Sequence, residues 1–345
     1  MAQALGDFEK SFSVAGRTLG DGHPCFIIAE AGVSHFGDIR KAFALVDMAV
    51  HARADAVKFQ IFKTSELISH SNAEWIERMR PKELSVEAFV EIQQYCRDRG
   101  IIFFATAHDL QSLETLARLD PPVYKIGSGE VNNPEFFQAV ARLSKPVIFS
   151  TGMYSREDFL ESLDAVRGGG CRQVAVLHCV TRYPVPPAEV NLRRILTLKE
   201  IFPGPVGYSD HCATYDIAAS AVMLGVDLIE KHITLERNIP NAQDWKVSCD
   251  ANELVELVAS IRRLEKARGD GSFTRGRGEF ESLTWARKSV VATKDLPVGT
   301  VLSREMLAFK RPGTGMSPNK IPGLIGRKLK AKVKTDSIIT EDLLE

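Results

Sequence analysis

Apolar residues along this chain fall into two patterns that alternate. Short β-rich runs that end in polar residues are each followed by a stretch whose apolar positions recur at three- and four-residue steps. The runs are CFIIAEA (25–31), AVKFQ (56–60), IIFFATA (101–107), VYKIGSG (123–129), PVIFSTG (146–152), VAVLHC (174–179), VGYSD (206–210) and DLIEKHI (227–233). Behind Asp38, a candidate helix cap, Ile39, Ala42, Phe43, Val46 and Ala49 repeat with helical spacing. Strands apolar on both faces that alternate with helices predict a parallel sheet covered by helices. Eight such units within about 250 residues predict a closed barrel. The expected fold class is α/β: a (β/α)8 TIM barrel over residues 1–268.

The rhythm stops after about residue 265. KARGDGSFTRGRGE is rich in Gly and Arg and poor in apolar residues, and reads as a linker over 269–286. Residues 287–345 read as a small β-rich unit with short helices. A segment that small buries little surface, so it is expected to pack on the barrel or on a second subunit.

Composition narrows the partners. The 345 residues carry 44 Lys+Arg against 44 Asp+Glu, a formal charge of zero. No overall basic field exists to recruit nucleic acid or an anionic membrane, which leaves small molecules and further copies of the chain. The N-terminal MAQALGDFEKSFSVAG has acidic residues and no apolar core of a signal peptide. No run approaches the roughly 18 to 20 apolar residues of a membrane helix, so the expected location is cytoplasmic. The six cysteines contain no C-x-x-C and are expected to be buried free thiols.

Barrel enzymes carry their chemistry at the C-terminal strand ends. In this chain those ends deliver Glu30; Lys58 and Gln60; Thr106 and Asp109; Lys125, Ser128 and Glu130; Ser150 and Thr151; His178 and Tyr183; Ser209, Asp210 and His211; and Glu230, Lys231 and His232. Alternation along the last strand sends Glu230 and His232 into the mouth and Lys231 toward the helix layer. His211 and His232 end consecutive strands, about 5 Å apart. They fit a divalent metal, against the plainer reading of two hydrogen-bonded interior histidines. Lys58 and Lys125 interrupt apolar strands, and a buried ammonium requires an anion. Glu30 or Glu130 can supply it within the protein. Alternatively, with the small residues of GSG (127–129) and STG (150–152), the two lysines form a phosphate and carboxylate cradle. Lys125 is also a candidate for Schiff-base chemistry.

The stretches FIIAEAGVSHFGD, ADAVKFQIFK, YKIGSGEVNN, STGM, LHCVTRYPVPPAEVNL, GYSDH and EKHITL, followed by RPGTGMSP and LIGRKL, closely resemble the sialic acid synthase family. Its members are N-acetylneuraminate synthase-like, with a barrel followed by an antifreeze-like, or SAF, domain, and include spore coat polysaccharide biosynthesis protein E-like members. The resemblance covers nearly the whole chain. It implies condensation of phosphoenolpyruvate with an N-acetylated hexosamine aldehyde, such as N-acetylmannosamine, to give a nine-carbon 2-keto sugar acid and phosphate. It implies a divalent metal at His211 and His232, with Mn2+ first and Mg2+ or Co2+ as alternatives. By the same carry-over, Lys58, Thr106, Lys125, Ser128, Ser150 and Ser209 hold phosphoenolpyruvate, the two lysines offsetting most of its charge. Glu30 activates the water, and Glu130 helps to position the sugar, which Gln60, Tyr183 and Asp244 touch. Arg311 reaches it from the SAF domain of the other subunit of a domain-swapped homodimer. Alternatives are a legionaminic or pseudaminic acid-type synthase that takes a di-N-acylated sugar, and a surface-polysaccharide protein that binds without turnover.

The departures from the family pattern are Ser34 before His35, Ala107 and His108 where Pro and Phe are usual, Thr181 and Arg182 where an Asn or Ser-type pair is common, and Trp245 where His often lies. All fall on the expected sugar side.

Overall fold

The computed structural model describes residues 6–240, 242 and 244–345. Residues 1–5, which open the N-terminal stretch quoted above, and Asn241 and Gln243 lie outside the described residues. Two compact units divide the chain, Met1–Gly269 and Asp270–Glu345.

The first unit opens with a hairpin, β1 (Ser11–Val14) and β2 (Arg17–Gly20), paired antiparallel. Its turn residues Ala15 and Gly16 both take positive φ, 47° and 82°, the twist that a two-residue hairpin turn needs. Eight parallel strands follow: β3 (Phe26–Gly32), β4 (Ala56–Ile61), β5 (Ile102–Ala107), β6 (Tyr124–Ile126), β7 (Val147–Ser150), β8 (Val174–Cys179), β9 (Val206–Asp210) and β10 (Leu228–His232). They close into a barrel in chain order, with β10 pairing back onto β3. Each coincides, within a residue or two, with a run in the hydrophobic pattern. The exceptions are the glycines after β6, where Ser128–Glu130 form a tight 3-10 turn, and those after β7.

Helices cover the outside. In α1 (Ile39–His51), Asp38 accepts from the Arg40 N–H as N-cap, and Ala42, Leu45, Val46 and Ala49 are buried, the stripe that faces the sheet. Inside the barrel, the lower layer is apolar. Phe26, Ile28, Ala56, Phe104, Val123, Ile148, Ala175, Leu177 and Leu228 form one cluster, joined by Phe12, Val14 and Leu19 of the hairpin. The hairpin therefore plugs the N-terminal end of the barrel, and polar inward residues begin only above this layer. The loop between β4 and the next long helix runs over about two dozen residues and contains α2 (Ala73–Met79), capped by Asn72. The last helix of the barrel, α3 (Ala251–Arg268), starts in a capping box between Asp250 and Glu253.

Much of the stretch read as a linker is helical, because α4 spans Arg277–Ala286. It buries none of its residues within the chain and leaves Phe280 and Trp285 exposed. In the second unit, β11 (Ser289–Ala292) and β12 (Leu307–Lys310) pair antiparallel. The unit has its own core around Val290, Leu302, Leu324, Leu329 and Ile339. No helix among the described residues is long and apolar enough to cross a membrane. All six cysteines are free and buried.

Candidate active site at the mouth of the barrel

Strand parity decides what reaches the mouth. Above the apolar layer the inward positions are Glu30, Lys58, Thr106, Lys125, Ser150, Cys179, Ser209 and Glu230, then His211 and His232, all buried. Lys231 points the other way, as the alternation predicts. Its Nζ donates to Asp210 Oδ2 at 2.6 Å and to the carbonyls of Cys212 and Thr214. Asp210 shares this outer face and also accepts from the Tyr208 hydroxyl. His178 is corrected in the same way: it faces the helices, stacks on Tyr208 and meets the Val190 carbonyl at 2.7 Å. Asp109 caps the helix that follows β5, and Thr151 donates to the Leu177 carbonyl.

The floor of the mouth is a cluster of four buried charges. Lys58 Nζ lies 3.0 Å from Glu30 Oε2 and 3.4 Å from Glu230 Oε2, and donates to Thr106 Oγ1 at 3.1 Å. Lys125 Nζ donates to Ser150 Oγ at 2.7 Å and lies 3.7 Å from Glu230 Oε1, which accepts from Ser209 Oγ at 2.8 Å. Glu230, not Glu130, is thus the counter-ion of Lys125. It is the main functional residue left without a role in the sequence reading, although alternation had sent it into the mouth. Two ammonium groups face two carboxylates, so the lysines carry no surplus charge for a ligand, contrary to the expectation that they offset most of it. Burial opposes the charge on Glu230, yet Lys125 and Lys58 hold its pKa down to about 2. Burial outweighs Lys58 at Glu30 and raises that carboxyl above its ordinary range. Glu30 Oε1 accepts from Gln60 Nε2 at 2.9 Å. Gly32, at φ +52°, keeps this corner open, since a β-carbon there would stand 3.3 Å from both Gln60 Nε2 and Glu30 Oε1.

The two histidine rings lie side by side, 5.3 Å between centroids, with the Tyr183 ring 4.1 Å from His211 and 5.9 Å from His232. His211 Nδ1 meets the Val180 carbonyl at 2.7 Å. A carbonyl can only accept, so Nδ1 carries a proton, and Nε2 is the ring nitrogen left to face a metal. Burial drives His232 down to about 3, so its ring is neutral, and its Nδ1 is buried without a partner. Burial also opposes the charge on His211, but Cys179, whose Sγ lies 3.7 Å from Nδ1, takes it up to about 9. No group of three or more His, Cys, Asp or Glu side chains converges on a metal position among the described residues. A cation would have to displace the second proton that the raised pKa puts on His211; two imidazole donors that leave further positions open would then suit a cation whose remaining ligands come from substrate and water. His211 and His232 therefore suit the divalent metal that the family resemblance implies.

Over this floor lies a cavity of about 680 Å³ lined by Gln60, Tyr183, His232 and Asp244, and by Ser34, His108, Thr181 and Trp245, four of the six positions that depart from the family pattern on this side. Arg182 instead pairs with Glu189 at 2.5 Å on the exposed rim. Trp75, Arg78 and Met79 of α2, with Lys82 beyond it, close one wall. Sequence reasoning missed this wall, whose only signal is the length of the β4 loop. Ser128 Oγ accepts from the Gly152 N–H at 3.0 Å and so ties the GSG turn to the STG turn. Glu130 sits in the same turn as Gly129, which lines the cavity, and accepts from Asn133 Nδ2 at 2.7 Å. Arg311 belongs to the second unit, where its Nε donates to the Ala286 carbonyl.

Comparison with known proteins agrees with this geometry. Residues 45–273 match the NeuB family and residues 287–345 match the SAF domain. The chain is 39% identical over 336 residues to protein MJ1065 of Methanocaldococcus jannaschii, covering 97% of this chain and 99% of that one. It is 36% identical over 330 residues to the N,N'-diacetyllegionaminic acid synthase of Campylobacter jejuni, covering 91% and 98%. Among solved structures, the N-acetylneuraminic acid synthetase of Leptospira borgpetersenii superposes with a TM-score of 0.75 at 32% identity, over 80% of this chain and 96% of that one. Closed barrel, charged mouth and both family matches lead to one statement: the chain is an enzyme of the NeuB family with a C-terminal SAF domain.

Proposed function

We propose that the enzyme condenses phosphoenolpyruvate with an N-acylated amino-sugar aldehyde to give a nine-carbon 2-keto sugar acid and inorganic phosphate. The observation that carries this reading is the buried Lys58–Glu230–Lys125 cluster, with Ser150 and Ser209 bonded into it, directly beneath a cavity of sugar size that Gln60, Tyr183 and Asp244 help to line. A small anion exchanges partners with carboxylates that already satisfy two ammonium groups, and the hydroxyls of Thr106, Ser128, Ser150 and Ser209 complete its hydrogen bonds.

In the reaction, C3 of phosphoenolpyruvate bonds to the aldehyde carbon, water adds at C2, the aldehyde oxygen takes a proton, and the C2–O bond to phosphate breaks. Glu30, whose Oε1 is already in a hydrogen bond with Gln60, orients the water and receives its proton. Gln60, Tyr183 and Asp244 hold the sugar, with Glu130 at the rim. When bound by His211 and His232, a divalent cation (Mn2+ first, Mg2+ or Co2+ as alternatives) supplies Lewis-acid polarisation of the aldehyde oxygen, an effect worth several kcal/mol. The active species is a homodimer in which Arg311 of the partner subunit meets the N-acyl group.

N-acetylmannosamine and a di-N-acylated relative are the two sugar classes that the named relatives support, one through the Leptospira synthetase and the other through the Campylobacter synthase. Phosphate release from phosphoenolpyruvate, with Mn2+ or EDTA, against a panel of both classes tests the reading. Release that needs both sugar and cation is the expected result, and the best sugar names the product. Silence across the panel would favour a binding role.

A further inference from the structure

His108 extends the inward face of β5 one step beyond the strand. Its backbone N–H donates to the Ile61 carbonyl at 3.1 Å, and its side chain lines the 680 Å³ cavity. Nε2 is buried and has no hydrogen-bond partner. The ring sits at the seam of the site. Its Cε1 lies 3.7 Å from the point where a β-carbon on Gly127 would stand, beside the Thr106 methyl. Burial, reinforced by the charges of Lys58 and Lys125, takes its pKa down to about 4, so the imidazole is neutral at neutral pH. A buried polar atom without a partner weakens the fold, and native proteins keep few of them. A neutral imidazole nitrogen can pair with a hydroxyl or an amide.

We propose that His108 Nε2 is a specificity-determining hydrogen-bond partner for a hydroxyl or amide group of the acceptor sugar. The proposal rests on the condensation described above. The sugar is favoured over phosphoenolpyruvate because His108 shares its cavity wall with Gln60, Tyr183 and Asp244, whereas Lys58, Lys125, Ser150 and Ser209 lie beneath the cavity and outside its lining. A neutral ring also adds little to anion binding beside two ammonium groups. A site that hydrogen-bonds a substrate group discriminates strongly against an analogue that lacks it, because its own polar atom is then left unpaired.

The test compares wild type, His108→Phe and His108→Gln in phosphate release, with sugar and phosphoenolpyruvate varied separately, together with thermal unfolding of the ligand-free protein. His108→Phe is expected to raise the sugar KM about tenfold, the effect of one hydrogen bond, and to leave the phosphoenolpyruvate KM within about twofold. It is also expected to raise Tm, because the unpaired nitrogen is gone. His108→Gln, neutral and still able to hydrogen-bond, should restore most of the sugar KM. If the Phe variant does not fold, His108→Leu serves the same comparison. An unmoved sugar KM, a change confined to phosphoenolpyruvate, or failure of Gln to rescue would each overturn the assignment and leave the condensation standing. No release by wild type with any sugar would overturn the condensation, and this assignment with it.

Discussion

Lys231 Nζ lies 2.6 Å from Asp210 Oδ2 on the outer face of two adjacent strands, both side chains fully buried. Each residue is followed in the chain by one of the two mouth histidines, so the pair fixes the backbone from which His211 and His232 project. Lys231→Met removes one partner and strands a buried carboxylate. The expected cost is about 3 to 5 kcal/mol of stability, together with a fall in phosphate release larger than the fall in folded fraction. Chemical denaturation alongside activity at equal folded concentration checks it. Unchanged stability would mean that water enters beside Asp210.

Glu230→Gln leaves two buried ammonium groups facing one carboxylate, Glu30. The variant should be less stable, and an added anion should restore what was lost. Phosphate or phosphoenolpyruvate is therefore expected to raise Tm more in Glu230→Gln than in wild type, because a ligand that binds only the native state stabilises it by mass action. Equal Tm shifts in both proteins would show that Glu230 does not compete with the ligand for Lys58 and Lys125.

His35 and His178 are buried, and burial lowers each pKa to about 4 from an ordinary 6.5. The unfolded chain therefore binds protons at these sites before the native state does, and stability falls as pH drops from about 6.5 toward 4. Each group contributes at most about 3 kcal/mol across that window. Below pH 4 both states are protonated and the loss levels off. Urea denaturation at pH 7, 5.5 and 4.5 should show a shallower decline for His178→Gln than for wild type. Parallel declines would exclude His178 as a source of the acid sensitivity.

EDTA should abolish phosphate release, and Mn2+, Mg2+ or Co2+ should restore it to different extents. His232→Gln should lose the response to added cation while keeping its barrel by circular dichroism. Turnover that survives chelation, joined with covalent trapping by borohydride, would move the chemistry to a Schiff base on Lys125.

Arg311→Ala and Glu30→Gln are each expected to be inactive as homodimers. Mixed after dissociation and reassociation, they should regain up to about one quarter of wild-type turnover if each site takes Arg311 of the partner subunit. No regain would place Arg311 at the site of its own chain or at none.

The barrel was legible because its signals are local. The apolar runs mark the strands, helical spacing marks the cover, and a period of two tells which side chains of a strand share a face. That period sent Glu230 and His232 inward and Lys231 outward, and the structure agrees. The same rule, applied to VAVLHC, puts Cys179 inward and His178 outward, so a place near the end of a strand does not by itself bring His178 to the mouth. The hairpin SFSVAGRTLG also carries an alternating pattern around an Ala-Gly turn, a signal as local as those of the barrel strands.

Parity says which face a side chain takes, and nothing about which distant strand supplies its partner. Glu230 on β10 meets Lys58 across β3 only because the barrel closes, and it meets Lys125 on β6 only through the barrel interior. The wall made by Trp75 and Lys82 likewise depends on how a long, aperiodic loop folds over the mouth. The sequence alone determined the strands, the inward residues and the family motifs, since hydrophobic period and strand alternation act over a few residues. Tertiary structure decided how the charges pair and which polar atoms, such as His108 Nε2, remain unpaired, because a buried charge takes its state from neighbours that closure of the barrel brings within a few ångströms.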